Sequence, residues 1–217
     1  MGLVIAFDIG KAYWNNECRN FIIYGPLGYG KTSYALHTLM EIYKTHDPEV
    51  LDKYFAFTPQ EFLRKVRGFK PRVETICWDD AGVWLYYMDY NHPIIKKLAK
   101  MMQVIRTRAS SVILTTPSPT LILGKLRNFP QTLTIKIIKN PGNQYQQDKR
   151  RATAYRSYLL PDLQKLRIKK MFIDDFSVML PNDVYKWFND KREVYVEQLE
   201  ADIDNDLTPK MQLAGLV

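Results

Sequence analysis

The chain has 217 residues, 46% hydrophobic and 25% charged, which suits one compact domain with at most a small appendage and is too apolar for a disordered chain. Lys and Arg number 31 against 23 Asp and Glu, and the net charge of +8 points to a polyanionic partner. No run of about 18 uncharged apolar residues exists, so no membrane association is expected; Asp8 breaks Leu3–Phe7 and no basic region precedes it, so no secretory signal is expected either. With only Cys18 and Cys77, a disulfide framework is excluded and the cytoplasm is the expected location.

After the apolar run Leu3–Phe7 and a polar stretch, Phe21-Ile22-Ile23-Tyr24 reads as a buried parallel strand bounded by a glycine-rich turn. Residues 32–43 then carry apolar side chains at helical spacing. Tyr54–Phe57 is a second strand, and Thr58-Pro59-Gln60-Glu61 starts a helix, with a capping hydroxyl, a proline at the first position and an acid in the first turn. Val73–Trp78 is a third strand. A helical stretch interrupted near Asn91-His92-Pro93 runs to about Thr107. Val112–Thr115 is a fourth strand, Thr120–Arg127 a short helix and Thr132–Ile138 a fifth strand. Asn140-Pro141-Gly142-Asn143 signals a turn into a basic hairpin, and Leu180-Pro181-Asn182-Asp183 opens a last helix ending near Asp202. Alternating strands and helices predict a three-layer α/β/α fold around a mostly parallel five-stranded sheet. The expected organisation is a core over 1–140, the basic hairpin and C-terminal helix over 141–205, and a tail over 206–217.

Gly25-Pro26-Leu27-Gly28-Tyr29-Gly30-Lys31-Thr32 fits the phosphate-loop pattern, placed between a strand and a helix. Glycines let successive N–H groups turn inward around an anion, and the helix after them presents its positive end to it. Gly25 to Ser33 are the expected nucleotide-binding residues. Lys31 would reach the β- and γ-phosphates of ATP, and Thr32 would ligate Mg²⁺. Asp79, at the end of the third strand, is the expected second Mg²⁺ ligand. Asp80 follows where many such ATPases place a Glu that polarises the attacking water. Thr115 or Thr116, with Thr116 favoured, ends the next strand beside the γ-phosphate. Arg127 lies where ring ATPases of the AAA+ class supply an arginine finger to the neighbouring subunit; Arg106 and Arg108 are rivals with a simpler role at a helix C-terminus. His37, His46 and His92 are scattered and suggest no further metal site.

The charge is uneven. Residues 125–170 hold twelve Lys and Arg against two acids, whereas residues 171–217 hold ten acids against four bases. Lys149, Arg150, Arg151 and Arg156, followed by Lys165, Arg167, Lys169 and Lys170, are interleaved with Tyr145, Tyr155 and Tyr158. This mixture can contact phosphates and stack on bases, so DNA is the expected partner; a charged strand guarding a sheet edge is the alternative.

The runs FIIYGPLGYGKTSYAL, ICWDDAG, VILTTPSP and LPNDVYKWFNDKRE resemble the small AAA+-type P-loop ATPases of viruses and plasmids of thermophilic archaea, some described as similar to replication initiators or helicase loaders. The resemblance covers about residues 20–200. It implies an ASCE/AAA+-like ATPase of a mobile element, assembled as a homo-oligomer with ATP between subunits and acting on DNA in replication. Where a full AAA+ protein has a helical lid with a second sensor arginine, this chain has the basic hairpin and one helix. A genome-packaging or secretion motor is the alternative, and a small-molecule kinase with Arg150 and Arg151 as lid arginines a further one. No Asn-Lys-x-Asp motif favours GTP.

Overall fold

The run Phe21–Ile23 is fully buried and forms the middle of β1 (Arg19–Tyr24). A strand enclosed in this way has partners on both edges. β4 (Ala109–Thr116) lies parallel on one side and β5 (Leu133–Lys139) parallel on the other. β3 (Val73–Trp78) runs parallel beside β4, and the two-residue β2 (Phe55–Ala56) ends that edge. Past β5 the sheet continues antiparallel through β6 (Lys149–Leu160) and β7 (Lys165–Ser177), giving the order β2-β3-β4-β1-β5-β6-β7. The computed structural model describes residues 2–86, 88, 93–129, 131–139, 147–160 and 165–213, without the side chains of 94, 95, 159, 160, 165, 166 and 203–213.

The sheet therefore has seven strands, not the expected five. The basic hairpin is part of it because β6 pairs with β5 from Thr134↔Tyr155 to Lys139↔Arg150, covering an edge whose N–H and C=O groups would otherwise need other partners. Small residues make this possible. Ala152 and Ala154 lie opposite Ile137 and Ile135 and are fully buried. The expected turn at Asn140–Asn143, and with it Tyr145 and His92, lies outside the described residues.

Helices cover both faces. On one face lie α1 (Val4–Trp14) and α2 (Lys31–Tyr43). On the other, α4 (Pro59–Gly68), α6 (Pro93–Val104) and the short α7 (Gly124–Arg127) contribute Phe62, Val66, Leu98, Met102 and Leu126 to one apolar cluster with Ile22, Ile76, Trp78, Val112 and Leu114. α3 (Pro48–Asp52) and α5 (Ala81–Trp84) are short. α4 starts where its capping residues predict: Thr58 Oγ1 accepts from Glu61 N at 3.2 Å, and Glu61 Oε2 accepts from Phe57 N at 3.0 Å. α1 was not expected. Its N-cap, Leu3, offers no side-chain bond, and Asp174 of β7 takes that role by accepting from Val4 N at 2.8 Å and Ile5 N at 3.2 Å. Tyr34 Oη donates to the same carboxylate at 2.6 Å.

The chain divides into two units, Met1–Leu180 and Pro181–Val217. The second is α8 (Asn182–Leu213), on which Val184, Phe188 and Tyr195 form a buried stripe at spacings of four and seven. Residues 206–213, expected as a tail, have helical backbone; 214–217 lie outside the described residues. Among the described residues no helix is long and apolar enough to cross a membrane.

Candidate functional site

The phosphate loop, Asp79 and Asp80, and Thr115 and Thr116 lie at the carboxyl ends of β1, β3 and β4, beside the start of α2. Gly28 and Gly30 have φ of 74° and 87°, a region that costs a residue with a Cβ, and the loop they bend leads straight into α2. The first turn of α2 has neither a capping side chain nor an acid of its own. Lys31 is 7% exposed, and its Nζ donates to the carbonyls of Gly25 at 3.0 Å and Pro26 at 3.1 Å, which keeps the ammonium over the loop.

Thr32 Oγ1 lies 2.9 and 3.0 Å from the two carboxylate oxygens of Asp79, itself 2% exposed. A hydroxyl and one buried carboxylate at a loop that can hold phosphates is a donor set that suits Mg²⁺, which takes few protein ligands and completes its shell with phosphate oxygens and water. Among the described residues no group of three or more His, Cys, Asp or Glu offers a rival metal centre.

Thr115, and not the favoured Thr116, meets this carboxylate. Thr115 Oγ1 donates to Asp79 Oδ1 at 2.5 Å and accepts from Asp80 N at 2.9 Å. Thr116 Oγ1 donates instead to the carbonyl of Ser118 at 3.0 Å and crowds Gly82. Successive strand residues point to opposite faces, so one step in register decides which hydroxyl faces the site. Asp80 is a left-handed residue, φ 49° and ψ 32°, at the N-cap of α5, a conformation that Asp tolerates better than most residues and that marks an over-determined turn. Arg127, half-buried, donates from Nη1 to the carbonyl of Pro119 at 3.4 Å. Arg108 Nη1 donates to the carbonyl of Phe69 at 3.1 Å.

The basic segment does not form one face. Alternation along β6 sends Arg150 and Arg156 to the side of α1 and α2, and Lys149 and Arg151 to the other. Arg151 makes a two-pronged bond to Asp175, its partner across β7, at 2.7 and 2.9 Å; this guanidinium holds the Asp175 carboxyl below its ordinary range. Arg150 is buried against the phosphate loop, where its stem lies close to Gly30. Beyond Tyr155, β6 pairs only with β7, so 156–160 and 165–169 form a two-stranded ribbon. Arg156↔Lys169 and Tyr158↔Arg167 share one of its faces, and Ser157↔Ile168 the other. This sorting of charge was hidden in the sequence, although the period of two carries it.

A strand inserted between the loop-bearing strand and the carboxylate-bearing strand, here β4, defines the additional-strand class of P-loop NTPase folds, and this chain has that fold. No protein-family model matches the chain. Protein B-251 of Sulfolobus spindle-shape virus 1 is 34% identical over 218 aligned positions, which span 94% of this chain and 86% of that protein. Two solved structures are similar at low identity. The N-terminal domain of zonular occludens toxin from Neisseria meningitidis gives a TM-score of 0.44 at 13% identity, over 78% of this chain and 98% of that one. The genome packaging NTPase B204 from Sulfolobus turreted icosahedral virus 2, in complex with ATP-gammaS, gives 0.40 at 12% identity, over 73% and 99%.

Proposed function

The chain belongs to the family of protein B-251 of Sulfolobus spindle-shape virus 1, and we propose that it is an ATP-binding and ATP-hydrolysing protein of a virus or plasmid, coupling turnover to work on DNA in replication initiation or helicase loading. The observation that carries this reading is the meeting of Thr32, Asp79 and Thr115 beside Lys31 and the loop. Backbone N–H groups of the loop and Lys31 would hold the phosphates, and Thr32 and Asp79 the cation. Bound there, Mg²⁺·ATP supplies the bond to be broken and a divalent charge against the phosphate oxygens. Thr115 fixes the Asp79 carboxylate and the Asp80 backbone in one hydrogen-bonded chain, so the carboxylate keeps its direction. In this reading Asp80, whose backbone adopts a left-handed turn, would take the proton of the attacking water. In this reading copies assemble with ATP between them, Arg127 is the finger in trans, and the ribbon touches DNA.

The test is ATPase activity with and without DNA, for the wild type and Lys31→Ala, beside a size measurement with ATP and Mg²⁺. Turnover lost in the variant and raised by DNA supports the reading. Turnover unchanged in Lys31→Ala would remove the ATPase, and a monomer under every condition would remove Arg127 as a finger in trans.

One observation favours the packaging or secretion motor as a second reading. From β5 the chain passes into two long strands of the same sheet, where a loader of the AAA+ kind would have a helical lid. ATP-driven movement along long duplex DNA separates the two.

A further inference from the structure

Arg150 is more deeply buried than the basic residues around it. It is 8% exposed, and its Cγ lies 3.7 Å from the position a Cβ on Gly30 would take, so its stem is laid against the last glycine of the phosphate loop. Its register partner, Lys139, holds its Nζ 5.2 Å from the centre of the Tyr29 ring and brings a second cation to the same loop. Among the described residues, Arg150 Nη1 donates to backbone carbonyls of its own turn, those of Gln147 at 2.5 Å and Lys149 at 2.8 Å, and its buried Nε has no hydrogen-bond partner. Asp148 feels this charge, but its carboxylate accepts from the Ser177 hydroxyl at 2.8 Å and lies 3.9 Å from the Lys149 ammonium. A guanidinium taken out of water with no carboxylate bound to it is costly, and it is the group best shaped to grip a phosphate with two donors.

We propose that Arg150 is a phosphate-binding residue of its own subunit's nucleotide site, gripping the terminal phosphate of a nucleoside triphosphate from the β6 side of the loop. The strand order puts it across β1 from Asp79, so cation-ligating groups and Arg150 flank the loop from opposite sides. The role rests on the nucleotide-binding function proposed above. It withdraws Arg150 from the expected DNA-binding set, and it gives triphosphate recognition to the second residue of β6.

The test is a fluorescence titration of N-methylanthraniloyl ATP and ADP, with Mg²⁺, into the wild type, Arg150→Ala and Arg150→Lys, beside their thermal unfolding midpoints. Loss of a charged bond to the third phosphate weakens ATP about tenfold in Arg150→Ala and ADP by less than about twofold. Arg150→Lys, which keeps the stem and the charge, recovers part of the loss. Equal weakening for both nucleotides, with a lowered midpoint, would make Arg150 a prop for Gly30 and overturn the proposal. So would unchanged affinity for both. A wild type that binds neither nucleotide removes the nucleotide reading itself, an outcome separate from any effect of the variants.

Discussion

Thr115 donates a 2.5 Å hydrogen bond to Asp79 from the strand next door, and the same oxygen receives the N–H of Asp80. One hydroxyl therefore orients both acids of the pair, through the side chain of the first and the backbone of the second. Thr115→Val keeps the shape and removes both bonds. Turnover is expected to fall roughly 10–100-fold, as when the group that orients a metal ligand is lost, with a smaller change in ATP affinity. Thr116→Val, which removes the bond to the Ser118 carbonyl and none to Asp79 or Asp80 among the described residues, falls less. Steady-state kinetics of the two variants decide the matter, and the reverse ranking would hand the role to Thr116.

Asp174 joins two distant parts of the chain, accepting from Val4 N and Ile5 N of α1 and from Tyr34 of α2. It is 4% exposed, and burial followed by this carboxylate drives the Tyr34 hydroxyl well above the ordinary range of a phenol. Asp174→Ala strips α1 of its cap and leaves a buried phenol without its acceptor, so a loss of roughly 2–3 kcal/mol is expected by denaturant unfolding. Tyr34→Phe, which leaves the two backbone bonds in place, costs less. Equal losses in the two variants would show that the cap contributes little.

These two cases show what was legible in the sequence. The phosphate loop, β3 and the start of α4 depend on residues within a few positions of each other, such as Thr58 with Glu61, and local chemistry announces them. α1 has no local cap, because its cap comes from position 174. The membership of β6 and β7 in the main sheet rests on pairings such as Ile135 with Ala154, which no local pattern encodes. Thr115 and Thr116 differ by one step of register. Arg150 reads as a surface charge until Gly30 and its neighbours close over it.

The ribbon carries a prediction about DNA. Arg156, Tyr158, Arg167 and Lys169 share its charged face. Replacing Arg156, Arg167 and Lys169 with Gln should weaken duplex binding and lower the salt slope of the affinity by about 0.9 for each phosphate left without its cation. Arg151→Gln removes a charge already paired with Asp175 and should change the slope less. An unaltered slope in the triple variant would take the ribbon away from the DNA.

His37 supplies a pH dependence. Its Nε2–H donates to the carbonyl of Met179 at 3.0 Å, and burial holds its pKa below the ordinary value despite that bond. The unfolded chain then binds a proton more readily than the folded one, so stability rises with pH across the interval between the folded pKa and about 6.5. The contribution is complete above that interval and is lost as pH falls through it. Thermal unfolding from pH 5 to 8 should show a shallower acid slope in His37→Gln than in the wild type, and identical slopes would rule His37 out as the source.

β6 begins at the phosphate loop and ends in the ribbon. From Arg150 to Tyr158 it covers eight residue steps, about 27 Å of extended chain. Its pairing with β5 stops at Tyr155, and there, between Ala154 and Tyr155, the register with β7 slips. The strand is thus clamped over its first half and free of the main sheet over its second, with an irregular joint between them. A rod jointed in this way can bend at the slip without unzipping its pairs to β5, so the ribbon can change direction while the nucleotide end keeps its place in the sheet.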